Sequence, residues 1–220
     1  MNQKNLEVLK LDFIKKPMEI ESRSMEIIAP YLKDLNLTDE EIKIYSRMIH
    51  AAGDVDYAPI IKIHPKAIDA AKLAIKNGCN IYTDVEMVRT GINKRTLSKF
   101  GGKIFCKVAD EGVKQLAQNE GITRSMAAMK TFGNELNNAI VAIGNAPTAL
   151  FEVLRLVREE DVKPAVIIGI PVGFVGAADS KKALSEQNQI PFITVEGTKG
   201  GSPIAVAAVN AIIYMLDNTR

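Results

Sequence analysis

The sequence predicts an α/β fold: an open, mostly parallel sheet of about five to six strands with helices on both faces, preceded by N-terminal helices. Three observations carry this. From Tyr57 onward, short apolar runs alternate with longer stretches of helical periodicity. The short runs are apolar on both sides, as parallel strands buried on both faces are. Gly78, Gly121 and Gly144 punctuate the joins between the two kinds of segment. With 220 residues, 47% of them hydrophobic and 25% charged, the chain is long enough to bury one substantial core. One domain is expected, counted from residue 18 to residue 220.

Residues 1–16 read either as a flexible tail or as a short amphipathic helix that Pro17 ends, and the domain is counted after them. Ser22 or Ser24 can cap a first helix that carries Met25, Ile28 and Leu32 on one side and that Pro30 kinks or shortens. A second helix has a clearer start, because Thr38 followed three residues later by Glu41 is a capping box. Its apolar stripe of Ile42, Tyr45 and Ile49 leads to His50, and Gly53 supplies the left-handed stop. Strands follow at 60–63, 80–83, 103–108, 139–143, 165–169 and 192–195, and helices lie at 66–77, 112–119, 124–137, 148–160, 176–187 and 203–216. Strand and helix in regular succession give a Rossmann-like sheet covered on both faces.

The composition narrows the function. A formal net charge of +2 without a basic block, no Trp and five Tyr argue against a nucleic-acid surface. Residues 1–16 lack the continuous apolar core of an export signal, and the apolar run 203–216 contains Asn210 and is shorter than the ~20 residues of a membrane span. Cys79 and Cys106 have neither C-x-x-C nor Cys/His spacing, which suits buried free thiols in a reducing cytoplasm. A cytoplasmic protein acting on a small molecule, with no nucleic acid and no membrane as partner, is the expectation.

Only two histidines occur, and His50 ends a helix one turn after Arg47. Helix-end carbonyls favour an imidazolium and a neighbouring guanidinium opposes it, which makes His50 a candidate general acid; a capping role without chemistry is the alternative. In open parallel sheets ligands sit beyond the carboxyl ends of the strands, so the loops there matter most. They run over 84–92, 144–151, 169–181 and 196–203. In the last, Lys199, Gly200, Gly201 and Ser202 let the backbone approach a ligand just before a helix begins, the pattern of an anion site. No G-x-G-x-x-G opens a helix after the first strand and no G-x-x-x-x-G-K-[ST] occurs, so a nucleotide is unsupported. Ser180, in Asp179-Ser180-Lys181, has no histidine in sequence reach to activate it.

These loops resemble the precorrin-8X methylmutases and their cobalt-precorrin-8 counterparts of cobalamin biosynthesis. The anchors are Arg47-Met48-Ile49-His50-Ala51, Asp84-Val85-Glu86-Met87-Val88 with Gly91-Ile92, Thr123-Arg124-Ser125, and Lys199-Gly200-Gly201-Ser202. Two long ordered strings add to them, Gly-Asn-Ala-Pro-Thr-Ala-Leu-Phe at 144–151 and Pro-Val-Gly-Phe-Val-Gly-Ala-Ala at 171–178, and the similarity spans about 20–216. The resemblance implies a cofactor-free isomerase that moves a methyl group from C-11 to C-12 of a corrinoid ring, giving hydrogenobyrinate or cobyrinate, with no metal ligand in the chain. It implies proton transfer by His50 at a ring nitrogen. It also implies a homodimer with ligand sites near the subunit boundary.

The implied substrate is a large, mostly apolar tetrapyrrole edged with acetate and propionate carboxylates. Arg47, Arg124 and Lys199 can pair with those carboxylates, while Ser24, Ser125, Ser202 and the amides around Gly200 and Gly201 donate neutral hydrogen bonds. Ser24, Arg47 and Arg124 match positions at which the family is expected to touch substrate. Asp84, placed in the same binding set, and Glu86 either orient His50 or cap a short helix after the second strand. Thr198 stands where the family's arginine is expected before the lysine. A non-catalytic corrinoid carrier is the competing class, but carriers that ligate cobalt use D-x-H-x-x-G, and Met48 occupies the Asp position.

Overall fold

A computed structural model describes residues 14–217; the expectation for the tail falls mostly on residues outside that range. Helix α1 (Pro17–Leu32) starts at the proline rather than after it. A missing N–H costs nothing at the first helical position, where that donor has no intrahelical partner anyway. The expected serine caps are therefore corrected: Ser24 lies inside the helix and its hydroxyl donates to the Ile20 carbonyl at 2.8 Å. Pro30 sits within the helix, which ends two residues later in a 3-10 turn (Lys33–Leu35) closed by Asn36 at φ 50°. Helix α2 (Asp39–Ala52) has the expected capping box between Thr38 and Glu41, and Gly53, at φ 62°, donates its N–H to the Ile49 and His50 carbonyls.

Six strands form one sheet: β1 (Ile61–Ile63), β2 (Ile81–Thr83), β3 (Ile104–Phe105), β4 (Ile140–Ile143), β5 (Val166–Gly169) and β6 (Phe192–Val195). Their order is β1-β6-β5-β4-β2-β3, all parallel except β1, which runs antiparallel to β6 at one edge. Alternation sends Ile140, Ala142 and Ile168 to a core shared with α2, α3 (Ala67–Lys76) and α10 (Ser202–Leu216). Val141, Ile143 and Ile167 face the opposite core, built with α7 (Arg124–Phe132) and α8 (Pro147–Glu159). Helices α6 (Glu111–Glu120) and α9 (Ala177–Glu186) complete the expected set.

Two differences from the sequence reading have local causes. The loop after β2 contains two short helices, α4 (Glu86–Gly91) and α5 (Lys94–Ser98), where the sequence offers only one, because the second is too brief to show a helical period. Helix α7 stops at Phe132 because Gly133 takes φ 47°, and a 3-10 turn (Gly133–Leu136) follows. The connections reverse direction between β2 and β4, the position at which open α/β sheets leave a crevice.

Candidate active site

The crevice between β2 and β4 is bridged by the protein itself. Asp84, directly after β2 and 0% exposed, accepts the N–H groups of Gly144 (3.0 Å), Asn145 (2.9 Å) and Ala146 (2.7 Å). Burial pushes its carboxyl up from the ordinary carboxylate range, against the pull of those amides. This corrects the sequence expectation, because a carboxylate so enclosed is a tie between strand ends, not a group offered to substrate, to His50 or to a helix cap. Glu86 instead opens α4 and pairs with Arg89 at 2.6 Å. Gly144 is required here: a Cβ would lie 2.6 Å from Val88 and 2.7 Å from the Ser202 Cα, so the end of β4 presses against both α4 and the start of α10. Ser125, buried, directs its hydroxyl at the Asp84 carbonyl (3.5 Å), and Ser202, also buried, is the first residue of α10.

The glycine-rich loop lies against the end of β5. Gly201 donates to the Ile170 carbonyl at 2.9 Å and Gly173 donates to Thr198 at 3.2 Å. Gly200 adopts φ 154°, and a Cβ there would meet the Pro171 carbonyl oxygen at 2.6 Å. From the other side, Tyr57 donates its hydroxyl to the Gly200 carbonyl (3.3 Å), and the Lys199 ammonium pairs with Asp54 at 2.5 Å. Lys199 therefore holds the Asp54 carboxyl below its usual range, and Asp54 raises the ammonium of Lys199 in return. Because Asp54 follows α2 by two residues, these bonds dock the loop beside the helix that carries His50.

His50 is exposed on the last turn of α2. It lines a cleft of about 470 Å³ with Ile20, Arg47, Ala207, Asn210 and Tyr214. Among the described residues its ring has no hydrogen-bond or ion-pair partner. Arg47 is held by Glu21 at 3.4 Å and stacks over the Tyr214 ring at 4.7 Å. A wider groove of about 1200 Å³ between α1 and α2 adjoins this cleft and shares Glu21, Met25 and Arg47 with it. Ser24 is set between Glu21 and Met25 in sequence, but its hydroxyl is turned back on its own helix.

Arg124 stands apart from that cleft, exposed at the first position of α7 and without a side-chain partner among the described residues. Thr123 caps α7 through the Met126 N–H (3.2 Å), and its oxygen is 2.7 Å from that of Thr148, which brings the starts of α7 and α8 together. Arg124 thus belongs to the rim formed by the β4 loop, whereas His50 and Arg47 belong to the α2–α10 cleft.

Chain and fold both match known proteins. The family model for precorrin-8X methylmutase matches residues 19–215. The chain belongs to the precorrin-8X methylmutase family. It is 41% identical over 203 residues to a cobalt-precorrin-8 methylmutase of Leptospira interrogans, covering 89% of this chain and 92% of the relative. It is 40% identical over 202 residues to a precorrin-8X methylmutase of a Sinorhizobium species, covering 91% and 96%. A solved precorrin-8X methylmutase of Thermus thermophilus superposes with a TM-score of 0.80 at 33% identity, covering 90% of this chain and 98% of that one. The protein is accordingly a methylmutase, an isomerase of corrin-ring biosynthesis.

Several residues of the candidate site escaped the sequence reading. Asn210 and Tyr214, one turn apart on α10, flank His50, and their spacing from Ala207 is the helical signal that marks a shared face. Asn210 also accepts from Asn93 (2.8 Å) and donates to the Gly91 carbonyl (3.0 Å), fastening α4 to α10. The Asp54–Lys199 pair joins residues 145 positions apart, and no local pattern announces it.

Proposed function

We propose that this methylmutase moves a methyl group from C-11 to C-12 of precorrin-8 or cobalt-precorrin-8, with His50 as the proton donor to a ring nitrogen beside the migration site. The supporting observation is the exposed imidazole, without a partner among the described residues, in a cleft that adjoins a groove of about 1200 Å³. Protonating that nitrogen, or donating a strong hydrogen bond to it, makes the conjugated ring more electron-poor and lowers the barrier to a sigmatropic shift. General-acid help of this kind contributes roughly 10²–10⁴ in rate. Arg47, Arg124 and Lys199 serve as cations for the peripheral carboxylates, and the Gly200 amide and the hydroxyls of Ser125 and Ser202 supply neutral donors, with Gly201 letting the backbone approach the ligand. Lys199 pairs with Asp54, so binding a substrate carboxylate exchanges one carboxylate for another. No residue in this scheme touches a metal, so the reading covers both forms of the substrate.

The reading includes a cytoplasmic homodimer acting as a single domain from residue 18 onward. Phe174 (94% exposed) and Val175 (90%) form an apolar surface at the sheet's carboxyl rim, as a second copy seated beside the ligand would require. Cys79 and Cys106 are unpaired thiols, which suits a reducing compartment, and among the described residues no helix is long and apolar enough to cross a membrane. Anaerobic incubation with metal-free and cobalt-containing precorrin-8 side by side, followed by absorbance and mass analysis, tests the reaction. Conversion of either to an isomer of unchanged mass is the expected result; tight binding of both with no conversion would instead favour a carrier.

A further inference from the structure

The geometry points to Lys181 as a positioning residue that holds the glycine-rich loop in its ligand-binding shape through the Lys199 carbonyl. Helix α9 buries Ala177, Ser180, Lys181 and Leu184 along one face, so an ammonium occupies a stripe that is otherwise apolar or self-satisfied. Ser180 gives its hydroxyl to the Ala177 carbonyl at 3.0 Å and is fully enclosed, which leaves Lys181 as the functional member of the Asp179-Ser180-Lys181 string. Lys181 is 1% exposed and its Nζ donates to the carbonyl oxygen of Lys199. Among the described residues no carboxylate is paired with it. Burial brings the ammonium down to about 8.

Such a group is costly unless its hydrogen bonds matter to the fold or the site. The carbonyl it holds immediately precedes Gly200 and Gly201, and the Gly201 N–H joins the Ile170 carbonyl just after β5, one residue before α10 begins. Lys181 thus clamps the inner face of the loop, while Asp54 and Tyr57 clamp the outer face. Its reach to substrate is indirect, because the loop covers it. This inference rests on the reading that residues 199–202 bind substrate carboxylates, and the test separates the two.

In Lys181→Met, amide exchange at Gly201 and Gly173, the two N–H groups that tie the loop to the rim, should rise about tenfold or more relative to β4. KM should rise roughly tenfold with kcat changed by less than about threefold, as loss of an orienting contact predicts. In the unsubstituted protein, a scalar coupling from the Lys181 ammonium nitrogen across the hydrogen bond to the Lys199 carbonyl carbon reports the clamp directly and does not depend on the variant folding. Unchanged loop exchange, or absence of that coupling, overturns the role of Lys181. A loosened loop with unchanged KM leaves the clamp standing and overturns the loop's part in substrate binding.

Discussion

The carboxyl rim of the sheet and the cleft at the end of α2 are built on opposite rules. At the rim, polar groups are satisfied within the protein: Asp84 takes three amides, Lys181 holds the Lys199 carbonyl, and Lys199 meets Asp54. In the cleft, His50 is exposed and unpartnered among the described residues, and Arg47 is held only by a long ion pair and a ring face. A network closed on itself fixes shape, whereas a group left open beside a cavity is available to a ligand.

Substitutions can break or sharpen this contrast. The largest effect is expected at His50: His50→Ala should slow methyl migration by roughly 10²–10⁴-fold while product binding, followed by the visible spectrum of the bound corrinoid, is largely kept. A variant that isomerises at close to the parental rate would remove the cleft from the chemistry. At the rim the effect should fall on stability. Asp84→Ala strands three amides in the core and should cost about 3 kcal/mol or more in denaturant unfolding, and Gly144→Ala, which presses a methyl group onto Val88 and Ser202, about 1–3 kcal/mol. A loss below about 1 kcal/mol for Asp84→Ala would mean that the strand ends do not need the tie.

Arg124 is the intermediate case, at the rim in position but open in character. Arg124→Ala should leave stability within about 0.5 kcal/mol and weaken binding of the polycarboxylate, more at low salt than at high. Equal affinity at every ionic strength would place Arg124 with the inert surface. The smallest effect belongs to Tyr45, whose hydroxyl donates to the Ile61 carbonyl at 2.8 Å where α2 meets the edge strand. Tyr45→Phe should cost about 1 kcal/mol at neutral pH. Burial, helped by the nearby Glu41 charge, pushes the phenol of Tyr45 up to about 12, above its ordinary value in the unfolded chain. The unfolded state therefore loses its proton first, so the stability contributed by Tyr45 is complete below about pH 10 and declines as pH rises toward the folded value. Stability differences between parent and Tyr45→Phe, measured across that range, should shrink accordingly; a constant difference would contradict the assignment.

The same contrast explains what was legible in the sequence. All six strands were readable, the third overextended at 103–108 against Ile104–Phe105, because each is a short apolar run with a glycine or polar break beside it, and the capping box at Thr38 and the stop at Gly53 marked the helix that carries His50. The serine caps were misjudged because Pro17 can open a helix as well as close one. Asp84 was misjudged for a different reason. An acid after a buried strand has the same local pattern whether it faces a ligand or three amides 60 to 62 residues away, and only the parallel pairing of β2 with β4 decides which. Lys181 was hidden by its surroundings, since a lysine in an amphipathic helix ordinarily reads as solvated.

The central claim is that the His50 imidazole meets the ring itself. A crystal structure with the corrinoid product bound tests it most directly: a His50 ring nitrogen should lie within about 3.2 Å of a pyrrole-type nitrogen of the macrocycle, with peripheral carboxylates on Arg124 and at Gly200. A macrocycle bound with His50 turned away, or seated where neither the α2–α10 cleft nor the rim contacts it, would contradict the account.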